Sequence, residues 1–594
     1  MPLNRSHLCP VALLRCCVSF FIKLNSIQFN SERRHTLEHF ISLEMLFASI
    51  VSVGKLLAFG FLCLSFSLGT LPCHATLLDD AEAAIEESVG LIEEQFGEFY
   101  EFPDSEIPSC TYYDACDEPP TSSFDQSTIP GWLESGTPYH DLCAGGVATS
   151  YPESPDCPDV SHTTCAINVS YSAATSKFVA GTNTTSDSVR RAICVQSNLD
   201  VLWETSFSDV LDVHNYTEYV YSSVGGDGAF NQFPGTSWGE CPGTYDPRFR
   251  PWYAAAAMGP KNIILVIDVS GSMLTAGRLS LAKEAARTVL GTLTDYDYVG
   301  IVAFSGTTRV FSETLQQFSS NTQCLLNDFI DRLVANGPTN YGAALDAAFD
   351  MLSSSVASGD VAACNASAIL FLSDGEISSG ASGSDLYYSL ENHLSQSNAQ
   401  IFSYALGSSV DTEVLLQMSC RGDGAAFVVP DSGDLADVMA SYYTLFAAEI
   451  DPDDVNPMWT RYREYNSGNF VASVCKGAFN RKLLEETGIT SLFGVVCADL
   501  TEDHITAIDG STNGLDAKLV ASSMNCPLRS LDPDHLELVR EMMPSSPLSC
   551  RGVDTSPILM PVSWIIGIAV GCVVFVIIVI GVAVCVAKRK RRYY

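Results

Sequence analysis

The chain reads as a doubly wound α/β domain flanked on both sides by α+β segments and followed by one transmembrane helix. Three observations predict this. Between 261 and 449, apolar β-branched runs alternate with helical periods, the pattern of a parallel sheet covered on both faces. On either side of that stretch, one helix and several short strand-like runs separated by Gly, Ser and Asn turns point to an antiparallel sheet. Near the C-terminus, Trp564–Ala587 is a charge-free run long enough to cross a hydrocarbon core.

At 594 residues the chain exceeds one core, so two or three domains are expected. Net charge is −37 with only 32 Lys+Arg, which argues against nucleic-acid binding because that needs a basic footprint. Residues 1–75 read as an extension followed by a signal peptide: Leu56–Leu68 is apolar behind Lys55, and Cys73-His74-Ala75 resembles a small-x-small cleavage site. Met45 is the more ordinary start for such a signal; the other reading is an anchor helix over 46–68. KRKRR after Ala587 places 588–594 in the cytoplasm. A single-pass type I topology at the cell membrane follows, with the N-terminal side outside. Fourteen cysteines in 76–557, an even number, suit an oxidising compartment, and sequons stand at Asn168, Asn183, Asn215 and Asn365.

Along the predicted ectodomain, Leu78, Ala81, Ile85, Val89, Ile92 and Phe96 recur at three- and four-residue steps, predicting an amphipathic helix over 76–102. The runs INVSYSAA, KFVAGT, RAICVQ and EYVYSS are expected as strands. From 261, IILVID, DYVGIVAF, AILFLSDG, QIFSYALG and GAAFVVP read as strands. RLSLAKEAARTVLGTL, GAALDAAFDML and DLADVMASYYTLFAAEI read as helices. Strands return in GNFVASVCKGAF and LFGVVCADL, either as a third small domain or as the second half of an interrupted sheet. Residues 511–563 are expected to form a Cys-containing stalk.

Two chemical constellations lie close together. Asp268, Ser270 and Ser272, at spacing two after an apolar strand, can converge their oxygens on one point. Thr339 and Asp374 end later segments of the same sheet, beyond the carboxyl ends of strands where doubly wound sheets bind ligands. Two carboxylates, three hydroxyls and water form the hard oxygen set of Mg²⁺ or Ca²⁺, and so few charges leave room for an acidic group from a partner. Just upstream, Tyr245-x₄-Arg250-x-Trp252-Tyr253 joins a guanidinium suited to a carboxylate with rings that can wall a pocket. A surface arginine stacked on core rings is the other reading of that cluster. No GxxxxGK, GxSxG or histidine-based nucleophile pattern is present, so no enzyme is expected.

The DxSxS–Thr–Asp set resembles the metal-ion-dependent adhesion site of von Willebrand factor A domains, over 261–449. This implies a divalent-dependent docking domain. YDPRFRPWY resembles the signature of double Cache sensor domains. In their amino-acid-binding subclass, a later Tyr and Asp complete the site, here Tyr462 and Asp499. The resemblance implies that Arg250 and Trp252 hold a ligand carboxylate and Asp499 its ammonium. Tyr245, Tyr253 and Tyr462 would line the pocket, making a free amino acid the implied ligand. A von Willebrand A domain inserted after RPWY is the arrangement of the alpha-2-delta auxiliary subunits of voltage-gated calcium channels. It implies Cache halves over 76–260 and 450–510 and a channel pore subunit as partner; an extracellular acidic ligand is the alternative. The chain departs from those subunits in being about half as long outside the membrane.

Overall fold

The computed structural model describes the helix at 77–100, isolated positions and short strands up to 173, most of 174–236, and 245–557 with short gaps. Residues 1–75 and 558–594, including the predicted signal peptide and membrane helix, lie outside the described residues. Among the described residues, no helix is long and apolar enough to cross a membrane.

Seven strands form a mainly parallel sheet. Its spatial order is Thr308–Val310, Tyr298–Phe304, Asn262–Asp268, Ser367–Ser373, Ala399–Leu406 and Ala426–Val429, with Gln316–Gln317 also paired to Tyr298–Phe304. The central four pairings are parallel and in continuous register, while the two hairpin strands at one edge are antiparallel. The apolar runs are continuous because both faces are covered. Ile263, Leu265 and Ile267 pack into one core and Ile264 and Val266 into another. The same alternation splits Leu370 and Leu372 from Ile369 and Phe371. Helices Arg278–Leu290 and Tyr341–Ser358 follow their strands as predicted, and Tyr442–Ala448 closes the unit. Helices Ser320–Asp331, Ser384–Leu394 and Glu413–Arg421 were not expected from the sequence.

A second, six-stranded sheet is entirely antiparallel: Met458–Arg463, Phe470–Phe479, Leu492–Leu500, Val220–Val224, Ala229–Phe233 and Thr175–Lys177. Leu492–Leu500 pairs directly with Val220–Val224, so strands from before and after the parallel unit build one sheet. Helix Leu77–Tyr100 lays Leu78, Ala81, Ile85, Val89 and Ile92 on one face of it, against Val220, Val474 and Val496. The helix Pro251–Met258 is buried over seven of its eight residues and shares one core with the opposite face of this sheet and with Tyr442 and Phe446.

Three expectations are corrected. Of the described residues in the expected strand KFVAGT, only Lys177 is in a strand, at the end of Thr175–Lys177. RAICVQ is not a strand but lies within helix Asp187–Ser197, which buries Val189, Ala192, Ile193 and Gln196 at helical spacing and ties Cys194 to Cys110. A six-residue window is too short to separate a buried helix from a buried strand. Nor do residues 511–557 stand off as a stalk. They include helices Asn513–Ser523 and Pro533–Met542 and are bolted to the parallel unit by Cys364–Cys526 and Cys420–Cys550. Leu548 N donates to Ala426 O at 2.8 Å, and Arg540 Nε donates to Gly424 O at 2.7 Å. The segment thereby covers the outer edge of Ala426–Val429, where exposed strand groups would otherwise invite pairing with another chain. Cys475–Cys497 joins two paired strands of the antiparallel sheet.

Candidate metal cup and ring cluster

Asp268 ends the central strand, and Asp374 follows its neighbour Ser367–Ser373, so both carboxylates stand at the carboxyl edge of the parallel sheet. Asp268 is fully buried and Asp374 nearly so. Asp268 Oδ1 accepts from Ser270 N at 2.7 Å, which folds the DVSGS turn back over the strand end. Its Oδ2 accepts from Ser373 Oγ at 2.5 Å. Ser270 Oγ lies 2.9 Å from Ser272 Oγ, and Ser272 Oγ donates to Asp374 Oδ1 at 2.7 Å. Four of the five predicted donors are therefore linked by hydrogen bonds, Ser270, Ser272 and Asp374 through their side-chain oxygens and Asp268 through the backbone N–H of Ser270. Thr339 sits on the neighbouring loop, buried, with its backbone tied to Ser378 and Ser379. That loop is anchored to the turn by Gly271 N donating to Gly337 O at 2.9 Å.

Burial pushes the Asp268 carboxyl up to about 6, against the pull of its Ser373 and Ser270 hydrogen bonds, and Asp374 adds like charge. Two buried carboxylates with hydroxyls beside them, and no nitrogen or sulfur donor in the set, fit a hard divalent cation such as Mg²⁺ or Ca²⁺. Among the described residues no cluster of three or more His, Cys, Asp or Glu offers an alternative metal site.

Sequence reasoning missed three participants. Ser373 was adjacent to Asp374 in LSDG and thus within reach of a closer reading. Tyr341, whose Oη donates to Ser373 Oγ at 2.9 Å and Gly375 O at 2.7 Å, could be read only as the start of a helix. Arg278 donates from Nη1 to Asp374 Oδ2 at 2.9 Å, across 96 residues of sequence, and no local signal marks it.

The second constellation lies on one face of the antiparallel sheet. Tyr462 Oη donates to Asp499 Oδ2 at 2.9 Å, and Tyr221 Oη donates to Asp499 Oδ1 at 2.7 Å. Tyr221 Oη is also 3.0 Å from Ser473 Oγ, and Ser473 stands opposite Asp499 in register. Burial, reinforced by the Asp499 charge, holds the Tyr221 and Tyr462 hydroxyls well above their ordinary range, so both remain donors. The Tyr221 ring meets Trp252 edge to face at 4.9 Å; Trp252 approaches Phe230, which packs on Tyr245. Arg250 lies over the Tyr245 ring at 4.4 Å. The structure thus links Tyr245, Arg250, Trp252, Tyr462 and Asp499 in one cluster, with Tyr221 as the hub that sequence reading missed. Tyr253 joins the cluster at its rim: its ring packs edge to face on Trp252 at 5.7 Å and, on its other side, on Tyr443 of the parallel unit at 5.7 Å. Arg248 is taken up by Asp246 at 2.6 Å.

Asn183 is exposed, its Oδ1 accepting from Thr185 Oγ1 at 2.7 Å. The other three sequons, at Asn168, Asn215 and Asn365, lie outside the described residues.

Comparison with known proteins bears on the parallel unit. Residues 262–441 match the von Willebrand factor type A domain family. The human voltage-dependent calcium channel subunit alpha-2/delta-3 is 28% identical over 244 residues, 39% of this chain and 22% of that relative. The human alpha-2/delta-2 subunit is 30% identical over 214 residues, 35% of this chain and 18% of that relative. The matched region therefore spans about a fifth of these relatives' length. Among solved structures, a von Willebrand factor type A protein from Catenulispora acidiphila is 18% identical, with a TM-score of 0.29, covering 41% of this chain and 58% of that one. Proximal thread matrix protein 1 from the mussel byssus, with a zinc-occupied MIDAS motif, is 15% identical at a TM-score of 0.26, covering 32% and 48%. Residues 262–441 are a von Willebrand factor type A domain.

Proposed function

We propose that this protein is a non-enzymatic, alpha-2-delta-like auxiliary subunit that docks on the pore subunit of a voltage-gated calcium channel through a divalent cation. The reading places the ectodomain outside the cell, behind a signal peptide and anchored by the 564–587 helix, with 588–594 in the cytoplasm. The observation that carries it is the hydrogen-bonded set of Asp268, Ser270, Ser272 and Asp374 beside Thr339. In this reading Asp268 and Asp374 supply the charge, and Ser270, Ser272 and Thr339 supply neutral oxygens. Mg²⁺ or Ca²⁺, when bound, supplies a Lewis-acidic position that an acidic side chain of the partner can fill. The choice of partner is supported by the relatives, whose names are those of calcium channel subunits.

Co-purification of the full chain with a calcium channel pore subunit tests this. Capture should occur in millimolar Mg²⁺ or Ca²⁺ and fall at least tenfold in EDTA or on Asp268→Ala with Ser270→Ala, because a cation-bridged contact loses both of its charges' bridge at once. Equal capture with and without chelator would rule the reading out. Chelator-sensitive binding to an extracellular acidic ligand instead of the pore subunit would move the protein to the adhesion class with the same cup.

A second reading, an amino-acid-sensing Cache domain formed by 76–260 and 450–510, is favoured by the Tyr221–Tyr462–Asp499 hydrogen bonds and the Arg250–Tyr245 stack. In it Arg250 and Trp252 take the carboxylate, Asp499 the ammonium, and Tyr245, Tyr253 and Tyr462 the walls. Free α-amino acids should then raise the melting temperature of the wild-type chain and leave that of Arg250→Ala unmoved, since losing one partner of a desolvated charge pair costs about 2–5 kcal/mol. No shift with any of the common amino acids would make the cluster a piece of core.

A further inference from the structure

We propose that Arg278, anchored by Asp431, is a resident counter-ion of the cup that shares Asp374 with the metal and sets the cup's affinity for it. This rests on the cup reading above. Asp374 is divided between two claimants: Oδ1 accepts from Ser272 Oγ at 2.7 Å inside the cup, while Oδ2 accepts from Arg278 Nη1 at 2.9 Å. The Asp374 side chain is fully buried and that of Arg278 is 16% exposed, so water screens their interaction little.

Arg278 is held in this pose from two further sides. Its Nε donates to Asp431 Oδ1 at 2.7 Å, and Nη2 lies 3.4 Å from Asp431 Oδ2, a fork-like grip on one carboxylate. On another side stands Gly407, at φ +125°, where a Cβ would lie 2.4 Å from Arg278 Nη2. A glycine is needed there both for its backbone conformation and for the guanidinium's space. The guanidinium is therefore a fixed positive charge, not a wandering surface group.

A fixed cation one carboxylate away from a divalent site has a definite effect. It draws on the same carboxylate and repels the incoming ion, so the cup binds more weakly than its two aspartates alone would allow. Asp431 partly offsets the guanidinium from outside, and it is more exposed, so its effect is the smaller one. A cup held weak in this way gains most when a partner adds a further acidic group.

The two variants should move metal affinity in opposite directions, which damage to the fold would not do. Mg²⁺ titration of the full chain in detergent, by calorimetry at fixed ionic strength, is the measurement. Arg278→Gln should bind Mg²⁺ about tenfold more tightly than wild type. Asp431→Asn should bind it about twofold to threefold more weakly. Arg278→Lys, which keeps the charge but not the fork, should stay much closer to wild type than Arg278→Gln does. If wild type binds Mg²⁺, Asp268→Ala abolishes it, and Arg278→Gln is unchanged or weaker, the cup stands and the counter-ion role is wrong. If wild type shows no Mg²⁺ binding that Asp268→Ala removes, the cup reading has failed and this proposal with it.

Discussion

Asp297→Ala is expected to lower the melting temperature of the full chain's von Willebrand unit by about 10 °C or more. The Asp297 and Lys261 side chains are both fully buried, with Lys261 Nζ 3.0 Å from Asp297 Oδ2. Asp297 also accepts from Lys261 N at 3.0 Å, from Thr294 N at 2.7 Å and from Thr294 Oγ1 at 3.1 Å. One carboxylate thus fixes the residue just before the first strand of the sheet and the turn before the second. Alanine leaves a buried ammonium and three donors without that acceptor, and breaking such a pair costs about 3–5 kcal/mol. For a domain of this size each kcal/mol is worth about 2–4 °C. Lys261→Met with Asp297→Asn should recover much of the loss, because removing both charges removes the unpaired one. A melting shift of only a degree or two for Asp297→Ala would mean that the pair is a bystander.

The second large effect is expected at Cys364–Cys526, which closes 162 residues of chain between the parallel unit and the C-terminal helices. Replacing both cysteines by serine should destabilise the protein by about 2–4 kcal/mol, chiefly by freeing the unfolded chain. It should also lower hydrogen-exchange protection over Pro533–Met542 and the covering strand contact at Leu548 more than over Asn262–Asp268. Cys420–Cys550 remains in place and holds the segment loosely. Unchanged exchange over 533–548 would show that packing alone secures the segment.

What the sequence made legible follows from how strongly each element is patterned. The parallel strands are continuous apolar runs because both sheet faces are covered, and so Asn262–Asp268 and Ser367–Ser373 could be read directly. The helix Leu77–Tyr100 announced itself through a long stripe on one face. By contrast, Asn513–Ser523 buries only Leu515 and Ser522, so it carries no stripe to read, and a disulfide partner is not deducible from spacing. The short window RAICVQ misled because its helical period emerges only when Val189, two residues before it, is set beside Ala192, Ile193 and Gln196.

The candidate cup was legible for a local reason: three of its donors lie in five consecutive residues, and the other two adjoin recognisable segments, Thr339 just before helix Tyr341–Ser358 and Asp374 just after strand Ser367–Ser373. Arg278 and Tyr341 were not, because their contacts depend on the folded distance between segments. The ring cluster divides the same way. Arg250 and Trp252 sit in one motif, whereas Tyr221 reaches Asp499 only through the pairing of Val220–Val224 with Leu492–Leu500. The proximity of the two constellations in sequence has its physical counterpart in Pro251–Met258, which begins with the motif's rings and ends four residues before the central strand of the parallel unit.

The central claim, that Asp268 and its neighbours hold a divalent cation, is tested most directly by melting the full chain in EDTA and in millimolar Mg²⁺ or Ca²⁺. Two buried carboxylates in one cup favour the cation-bound fold, and at about 100 times the dissociation constant the gain is about 2.7 kcal/mol. Wild type should therefore melt several degrees higher with the cation, and Asp268→Ala should melt at one temperature in both. Wild-type curves that coincide in EDTA and Mg²⁺ or Ca²⁺ would contradict the account.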